Sequence, residues 1–292
     1  MEDKKIKKSF YSIKSMIFLF LMFVASAYFL LPLFWIIIAS SKSNSQLFST
    51  NPLWFAFPLN FVNNFVNISS LFNGEIWRWF LNSIIYSGSI SIGTTLISSM
   101  AGFAFSKYNF KGKNVLFFAI IGMIMVPSTA LVLPIYLLMH GLNLINTYWA
   151  VILPSLVNPF TVYLMRVFWM QEFPNELLDA ARIDGASDFR VFFSIGLPLV
   201  KGGLATVALF SFVGAWNNFF LPLVVLSKEN LYPLVLGLQV WTSLVTTGQS
   251  QGIITYGPLL MGVLISIIPL IFAFMLLRKY WQYGLSAGAL KG

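Results

Sequence analysis

The 292-residue chain is 58% hydrophobic and only 9% charged, and its formal net charge is +9. Soluble domains carry roughly a quarter charged residues, so this composition excludes a water-soluble globular protein and indicates an integral membrane protein. The absence of cysteine and the single histidine exclude structural disulfides, cysteine-ligated metal sites and a haem held by paired histidines.

Six apolar runs are long enough to cross a bilayer as helices, which takes about 20 residues. They cover residues 16–40, 80–105, 115–139, 148–168, 203–226 and 255–277. The first run is too long for a cleaved signal peptide, and no small-residue cleavage pattern follows it. We therefore predict an all-α membrane protein with six transmembrane helices. It comprises a basic tail (1–15), one membrane domain (16–277) and a C-terminal tail (278–292).

The distribution of basic residues predicts the orientation in the membrane. With the N-terminus inside, only Lys42, Arg78 and Lys228 of the 18 lysines and arginines fall in outer segments. Such a bias predicts a plasma-membrane protein with both termini facing the cytoplasm. Topology and lipid contact then account for the basic surplus, and we do not expect nucleic-acid binding.

The second run contains a regular series of small hydroxylated residues. Ser83, Ser87, Ser91, Thr95 and Ser99 recur every four positions, so they lie near one another along a helix. Small polar residues let helix backbones approach closely in lipid, which indicates a packing ridge. A polar wall of a substrate path has the same spacing, and the pattern alone leaves both interpretations open.

Charges are scarce at membrane depth. Residues 79–106, 114–165 and 230–277 contain no Asp, Glu, Lys or Arg, and one histidine, His140. Ion-coupled carriers and membrane-embedded enzymes need ionisable groups there, so both classes are disfavoured. The chain also has no phosphate-binding loop of the Gly-x-x-x-x-Gly-Lys-Ser/Thr type. If the protein moves a solute uphill, the energy must come from another chain.

Residues 169–202, which we call the charged loop, contain most of the acidic residues. Asn175 is a candidate cap for a short helix, and Gly185 follows Asp184 where a left-handed residue commonly ends one. Leu177, Leu178 and Ala181 share one side of that helix. The loop suits docking to a cytoplasmic partner. The alternative, an amphipathic helix on the inner leaflet, fits less well because the helix is short and acidic.

The charged loop resembles the EAA coupling loop of permease subunits in bacterial ABC importers. The matching residues run from Glu176 through Asp179-Ala180-Ala181 and Asp184-Gly185-Ala186 to Leu197-Pro198-Leu199. Further motifs are similar to those of carbohydrate-uptake permeases, specifically the smaller of the two maltose-type subunits. They are Asn82-Ser83, Pro127, Gly141-Leu142-Asn143, Asn146-Thr147, Trp216-Asn217-Asn218-Phe219 and Gly284 to Gly292. Two positions differ from the family's pattern: Asp179 stands where these permeases usually have Glu, and Gly202 stands where they often have a proline.

This resemblance implies the fold of a type I ABC importer permease with a cytoplasmic coupling helix, and it implies site residues. Those expected to couple to the ATPase are Glu176, Leu177, Asp179, Ala180, Ala181, Asp184, Gly185 and Ala186. The C-terminal residues expected at the ATPase are Gly288, Leu290 and Lys291. Those expected to contact the binding protein or its sugar are Gly237, Gln239 and Trp241, although an interfacial aromatic is the commoner reason for a Trp.

Five residues are possible path residues: Asn82, Ser83, Trp216, Asn217 and Asn218. For Asn217 and Asn218, which fall within the fifth run, a bond between helices is the favoured alternative because amides in lipid need partners.

The function that the resemblance implies is uptake of a neutral sugar, an oligosaccharide, driven by ATP through alternating access. Expected partners are a second permease, two ATPase subunits, an extracytoplasmic sugar-binding protein and membrane lipid. We expect the chain itself to be no enzyme and to bind no metal or cofactor, since ATP and Mg²⁺ belong to the ATPase. The alternatives are an ABC importer of a charged small solute and, in another class, an ion-coupled carrier.

Overall fold

The computed structural model describes residues 13–289 and the side chains of residues 15–280. The described part contains helices and no strands. The α-helices are α1 Ile13–Ser40, α2 Asn44–Ser49, α3 Phe61–Ser70, α4 Glu75–Lys107, α5 Lys113–Ile124, α6 Val132–Gly141, α7 Trp149–Ser155, α8 Pro159–Glu172, α9 Asn175–Ile183, α10 Asp188–Arg190, α11 Leu197–Leu199, α12 Lys201–Trp216, α13 Phe220–Val225, α14 Leu234–Thr246 and α15 Tyr256–Ala289. Short 3₁₀ turns cover Leu71–Asn73, Ser128–Leu131 and Glu229–Leu231, and Val191–Gly196 forms π-helical turns.

Among the described residues, three helices are continuous and apolar enough to cross a membrane: residues Ser15–Ser40 of α1, all of α4 and Tyr256–Tyr280 of α15. Three bent pairs also qualify, with angles of 101° between Lys113–Ile124 and Ser128–Gly141, 44° between α7 and α8, and 83° between Asp188–Leu199 and α12. The predicted all-helical class is confirmed. The number of spans is three, or up to six if each bent pair crosses once.

The predicted run 203–226 is not one helix. α12 ends at Trp216, and α13 begins at Phe220. The Asn218 side chain accepts a hydrogen bond from the Leu221 backbone N–H (3.4 Å), so this amide caps α13. Pro222 is tolerated in the first turn of α13, where its missing N–H has no helical acceptor. These residues end one helix and start another, which hydrophobicity alone does not indicate.

The chain divides into two compact units, Met1–Ile68 with Leu244–Ile265 and Ser69–Ser243 with Ser266–Gly292. Within the second unit, α4 is the central helix and packs chiefly against α8 and α12. Gly102 lies where α4 crosses α8, and a Cβ there would come within 2.7 Å of the Arg166 backbone nitrogen. The crossing therefore requires a residue without a side chain.

The serine series on α4 is a packing ridge. Ser83 accepts from the backbone N–H of Leu234 (2.7 Å), Ser91 donates to the carbonyl of Ala208 (2.7 Å) and Ser99 accepts from Trp169 Nε1 (3.1 Å). These side chains are buried. These three hydroxyls connect α4 to three different helices, whereas Ser87 donates to the Ser83 carbonyl within α4. The contacts between helices favour close packing over a polar path.

Candidate functional site

α9 forms the centre of the charged loop. It begins at Asn175 after Pro174, whose fixed φ suits an extended residue before a helix, and no side chain caps it. The predicted Asn175 cap is therefore wrong. The Asn175 Oδ1 atom accepts instead from Lys107 Nζ at 3.0 Å, because the ammonium group lies beside the first turn.

The end of α9 is closed by a glycine, as predicted. Gly185 has φ +75°, a left-handed conformation that residues with a Cβ rarely adopt. Its N–H donates to the Arg182 carbonyl (3.0 Å), and the Ala186 N–H donates to the Ala181 carbonyl (2.9 Å). This is the Schellman arrangement, which satisfies the last carbonyls and sets the direction in which the chain leaves.

One face of α9 is buried within the chain. Leu178 and Ala181 pack into a cluster with Phe103, Trp169 and Phe192, while Leu177 and Ala186 lie half-buried against it. This placement revises the expectation that Ala181 contacts an ATPase, because its methyl group faces the chain's own core. Leu178 and Ala181 instead hold the helix on its support.

The opposite face of α9 is open. Glu176, Asp179, Ala180 and Ile183 are exposed, and their spacing of i, i+3, i+4 and i+7 places them on one side of the helix. Asp184 is exposed at its end. We call this set the α9 face. It combines three acidic side chains with the apolar Ala180 and Ile183, on a helix whose other face packs in the core.

Two exposed apolar residues of the charged loop are not among the predicted site residues. Ile183 is 86% exposed, and Phe189 is 72% exposed. Exposed apolar side chains bordered by polar residues are a feature of both protein and membrane contact sites. The helical spacing of Glu176, Asp179, Ala180 and Ile183 is the sequence signal that could have identified Ile183.

The last turn of α4 holds both ends of α9. At the N-terminal end of α9, Lys107 Nζ donates to the Phe173 carbonyl and to Asn175 Oδ1. At the C-terminal end, the Arg182 guanidinium lies over the Tyr108 ring, 5.5 Å from its centroid. We call these contacts the α4 brace. Through them α9 is positioned by α4 as well as by its own loop.

An ion pair extends the α4 brace to α10. Arg182 lies 3.6 Å from the Asp188 carboxylate, although both side chains are largely exposed and the pair adds little stability alone. Burial, followed by the neighbouring Asp188, raises the pKa of Tyr108.

Beyond α10 the chain turns sharply into α12. Val191–Gly196 is π-helical, and Pro198 follows without a backbone donor, which favours a local change in hydrogen bonding. The helix then bends by 83° at Val200. A Cβ on Gly196 would lie 2.5 Å from the Trp169 ring. Because Gly196 has no side chain, this segment can pack directly against Trp169 of α8.

The predicted C-terminal contact residues are described only in part. Gly288 lies within α15, which continues to Ala289, so the predicted tail from residue 278 is helical over most of its length. Leu290 and Lys291 lie outside the described residues.

The region predicted to contact a binding protein is largely a packed helix. Gly237 and Trp241 are buried in α14. The Trp241 ring lies 4.6 Å from the Trp79 ring, and a Cβ on Gly237 would overlap that ring. Trp241 therefore packs in the core and is not open to stack a sugar, whereas Gln239 is exposed. After Thr246 follows a polar turn with positive φ at Gly248, Gln251 and Gly252, which the prediction missed.

Asn82 and Ser83 hold the 229–234 region against α4. The Asn82 amide donates to the carbonyls of Asn230 (2.9 Å) and Tyr232 (3.0 Å) and accepts from the Tyr148 hydroxyl (2.6 Å). Both residues are buried, and Ser83 accepts from Leu234. Their polar atoms are engaged within the chain, so the structure favours a packing role over a path role.

The three remaining path candidates lie in different environments. Trp216 is buried, its ring stacks on Phe212 at 5.9 Å, and Asn218 caps α13. The Asn217 side chain is exposed at the end of α12. Among the residues described, no three His, Cys, Asp or Glu side chains lie close enough to hold a metal ion.

Comparison with known proteins gives the family. Residues 93–282 match the family of binding-protein-dependent transport system inner membrane components. The chain is 37% identical over 276 residues to the arabinooligosaccharides transport system permease protein AraQ of Halalkalibacterium halodurans, with 94% of each chain covered. It is 34% identical to the protein of the same name from Bacillus subtilis, with the same coverage.

A solved structure gives the fold. The chain superposes, with a TM-score of 0.79 and 23% identity, on a chain from the crystal structure of a bacterial ABC transporter involved in the import of the acidic polysaccharide alginate. The match covers 93% of this chain and 99% of that one. The resemblance to permeases of carbohydrate ABC importers is thus confirmed, and the chain belongs to the family of inner-membrane components of binding-protein-dependent transport systems.

Proposed function

We propose that the chain is a permease subunit of an ATP-driven importer for a neutral sugar, an oligosaccharide. The similarity to arabinooligosaccharide permeases over nearly the whole chain supports this substrate class. The observation that carries the coupling mechanism is the α9 face. It is a rigid surface of acidic and apolar side chains on a helix whose other face is buried in the core.

In this proposal an ATPase subunit binds the α9 face. Ile183 and Phe189 supply apolar contacts, and Glu176, Asp179 and Asp184 favour a basic rim on the ATPase. When ATP closes the ATPase dimer, α9 moves with it. The α4 brace passes that motion to α4, and the bend at Val200 passes it to α12.

Alternating access then follows from motion of packed helices. α4 contacts both α8 and α12, so displacing its last turn changes the packing of all three. Close-packed interfaces tend to switch between discrete arrangements, and such a switch opens the pore first to one side and then to the other. A second permease completes the pore, and an extracytoplasmic binding protein delivers the sugar. The termini and the charged loop lie in the cytoplasm.

In this mechanism the chain itself catalyses no reaction. ATP and Mg²⁺ bind the ATPase subunits, and the permease supplies the path and the coupling surface. The family match disfavours the ion-coupled carrier, since its members work with binding proteins. Asn217 is the path candidate that the structure leaves exposed, and Gln239 is the candidate for contact with the binding protein.

Purification of the chain from native membranes tests the assembly. We expect a second permease and an ATPase to copurify, and ATP hydrolysis in lipid to rise with one sugar-loaded binding protein. Screening binding proteins with arabino-oligosaccharides, other neutral oligosaccharides and charged solutes separates the substrate classes. Recovery of the chain alone, with the partners verified as expressed, would contradict the proposal.

A further inference from the structure

The stretch between α1 and α4 differs from an ordinary water-exposed loop. Residues 43–68, which we call the uncharged segment, contain no Asp, Glu, Lys, Arg or His. Lys42, just before it, is 1% exposed, and its ammonium group donates to the Asn51 carbonyl. Since soluble surfaces carry roughly a quarter charged residues, this composition indicates surroundings other than water.

Contacts within the first unit determine which face of α3 is buried. Asn64 and Ile68, four residues apart, form its buried face. The Asn64 amide donates to the carbonyls of Ser40 and Lys42, both at 2.8 Å, at the end of α1. A Cβ on Gly257 would lie 2.8 Å from Asn64 Oδ1, so α3 also lies against the start of α15. These contacts determine which side of α3 faces outward.

The outward side of α3 is apolar along one line. Val62 is 74% exposed and Val66 is 54% exposed, and at i and i+4 they lie on the same side of the helix, along with Phe65. Asn63 and Asn67 are exposed on the neighbouring flank. α3 thus has a buried face, an exposed apolar stripe and an exposed polar flank, which is typical of a helix lying in a membrane interface.

Exposed aromatic residues continue this surface before α3. Phe48 at the end of α2 is 74% exposed, Trp54 is 64% exposed and Phe57 is 80% exposed. Such residues are enriched at the boundary between lipid and water. An uncharged surface of this composition fits the interface better than it fits bulk solvent.

We propose that the uncharged segment lies in the lipid interface beside the end of α1. Val62, Val66, Phe48, Trp54 and Phe57 would enter the boundary between headgroups and acyl chains. Two observations favour lipid over a protein partner: the segment continues directly from an apolar spanning helix, and it has no charges for a complementary protein rim. The proposal rests on α1 crossing the membrane, but not on the substrate or on ATP coupling.

Single cysteines test this placement, because the natural chain has none. We would introduce Val62→Cys, Val66→Cys and, on the polar flank, Asn63→Cys. Each cysteine would be labelled with a nitroxide in the importer assembled from cysteine-free partners. The labelled importer would be placed in nanodiscs of phosphatidylcholine and phosphatidylglycerol. Accessibility to oxygen, which concentrates in lipid, is compared with accessibility to a water-soluble nickel complex. Phe20→Cys in α1 gives the lipid reference.

We expect the ratio of oxygen to nickel accessibility to be severalfold higher at positions 62 and 66 than at 63, and to approach that at position 20. Equal ratios at all three positions of α3, all far below the ratio at position 20, would place the stripe in water and overturn the proposal. Exclusion of both reagents at 62 and 66 would mean that a protein covers the stripe, which also overturns it. Sugar uptake by the labelled variants, measured separately, shows whether the importer is intact.

Discussion

At the scale of single residues, Gly185 determines how the charged loop leaves α9. A β-branched side chain in the left-handed region costs about 1–2 kcal/mol. Nothing lies within 4 Å of a Cβ at Gly185, so a substitution acts through the backbone alone. We predict that Gly185→Val strongly reduces ATP-dependent uptake while the amount of permease in the membrane stays near normal.

Gly185→Asn is the matched control, because asparagine tolerates the left-handed conformation. It should retain most uptake in vesicles containing equal amounts of permease. If the valine and asparagine variants transport equally well, the Schellman turn does not determine coupling.

Lys107 gives a second prediction at this scale. Lys107→Met removes the ammonium contacts to Phe173 and Asn175 and loosens the start of α9 by about 1 kcal/mol, since the group is partly exposed. We expect less sugar transported per ATP hydrolysed, with assembly retained. Lys107→Arg keeps a donor and should restore part of the ratio. An unchanged ratio in the methionine variant would remove the α4 brace from the coupling mechanism.

The conformation of a single residue was predictable from the sequence where its immediate neighbours determine it. The left-handed Gly185 follows from its place after a short helix. The sequence makes Asn82 a possible path residue and Trp241 a possible sugar contact, but in the structure they contact Tyr148 and Trp79. Those partners lie far away in the sequence, so only tertiary packing reveals that the polar atoms and the ring are already occupied.

At the scale of elements, the crossing of α4 and α8 depends on Gly102. A methyl group there would meet the α8 backbone, and overpacking of this kind costs about 1–3 kcal/mol. We predict that Gly102→Ala lowers the thermal stability of the purified permease. Gly88→Ala, in the same helix with nothing within 4 Å of a Cβ, should not. Similar melting of both variants would contradict this packing.

The α9 face supplies the next prediction. Truncating a central apolar anchor of an interface costs about 2 kcal/mol, or about 30-fold in affinity. Ile183→Asp should therefore weaken copurification of the ATPase at least that much without lowering the stability of the permease, because Ile183 is exposed. Ile183→Leu should bind normally. Normal ATPase recovery with the aspartate variant would exclude Ile183 from the contact.

Long apolar helices were predictable from hydrophobicity, and their breaks were not. α1, α4 and α15 match the predicted runs to within a few residues at their starts. The 101° bend around residues 125–127 and the break at Asn217–Phe219 depend on proline position and amide capping inside apolar runs. Hydrophobic content is the same on either side of such breaks, so periodicity alone does not locate them.

At the scale of the whole molecule, the proposed function combines apolar helices that cross the membrane with a charged loop that binds a partner. The sequence contains no phosphate-binding loop of the Gly-x-x-x-x-Gly-Lys-Ser/Thr type, and in the proposed function an ATPase binds the α9 face and supplies the energy. Family membership was recognisable because the motifs of that loop and of the other helix ends occur together in one sequence. The particular sugar was not, because few polar side chains within the described helices are free to recognise it.

Uptake by the reconstituted importer tests whether this permease moves sugar at the expense of ATP. Proteoliposomes would contain both permeases and the ATPase, with ATP enclosed and the binding protein outside with a labelled neutral oligosaccharide. We expect accumulation only when ATP and the binding protein are both present, and we expect its loss when the permease carries Gly185→Val. Accumulation that follows an ion gradient without ATP, or that proceeds equally well without the binding protein, would contradict it.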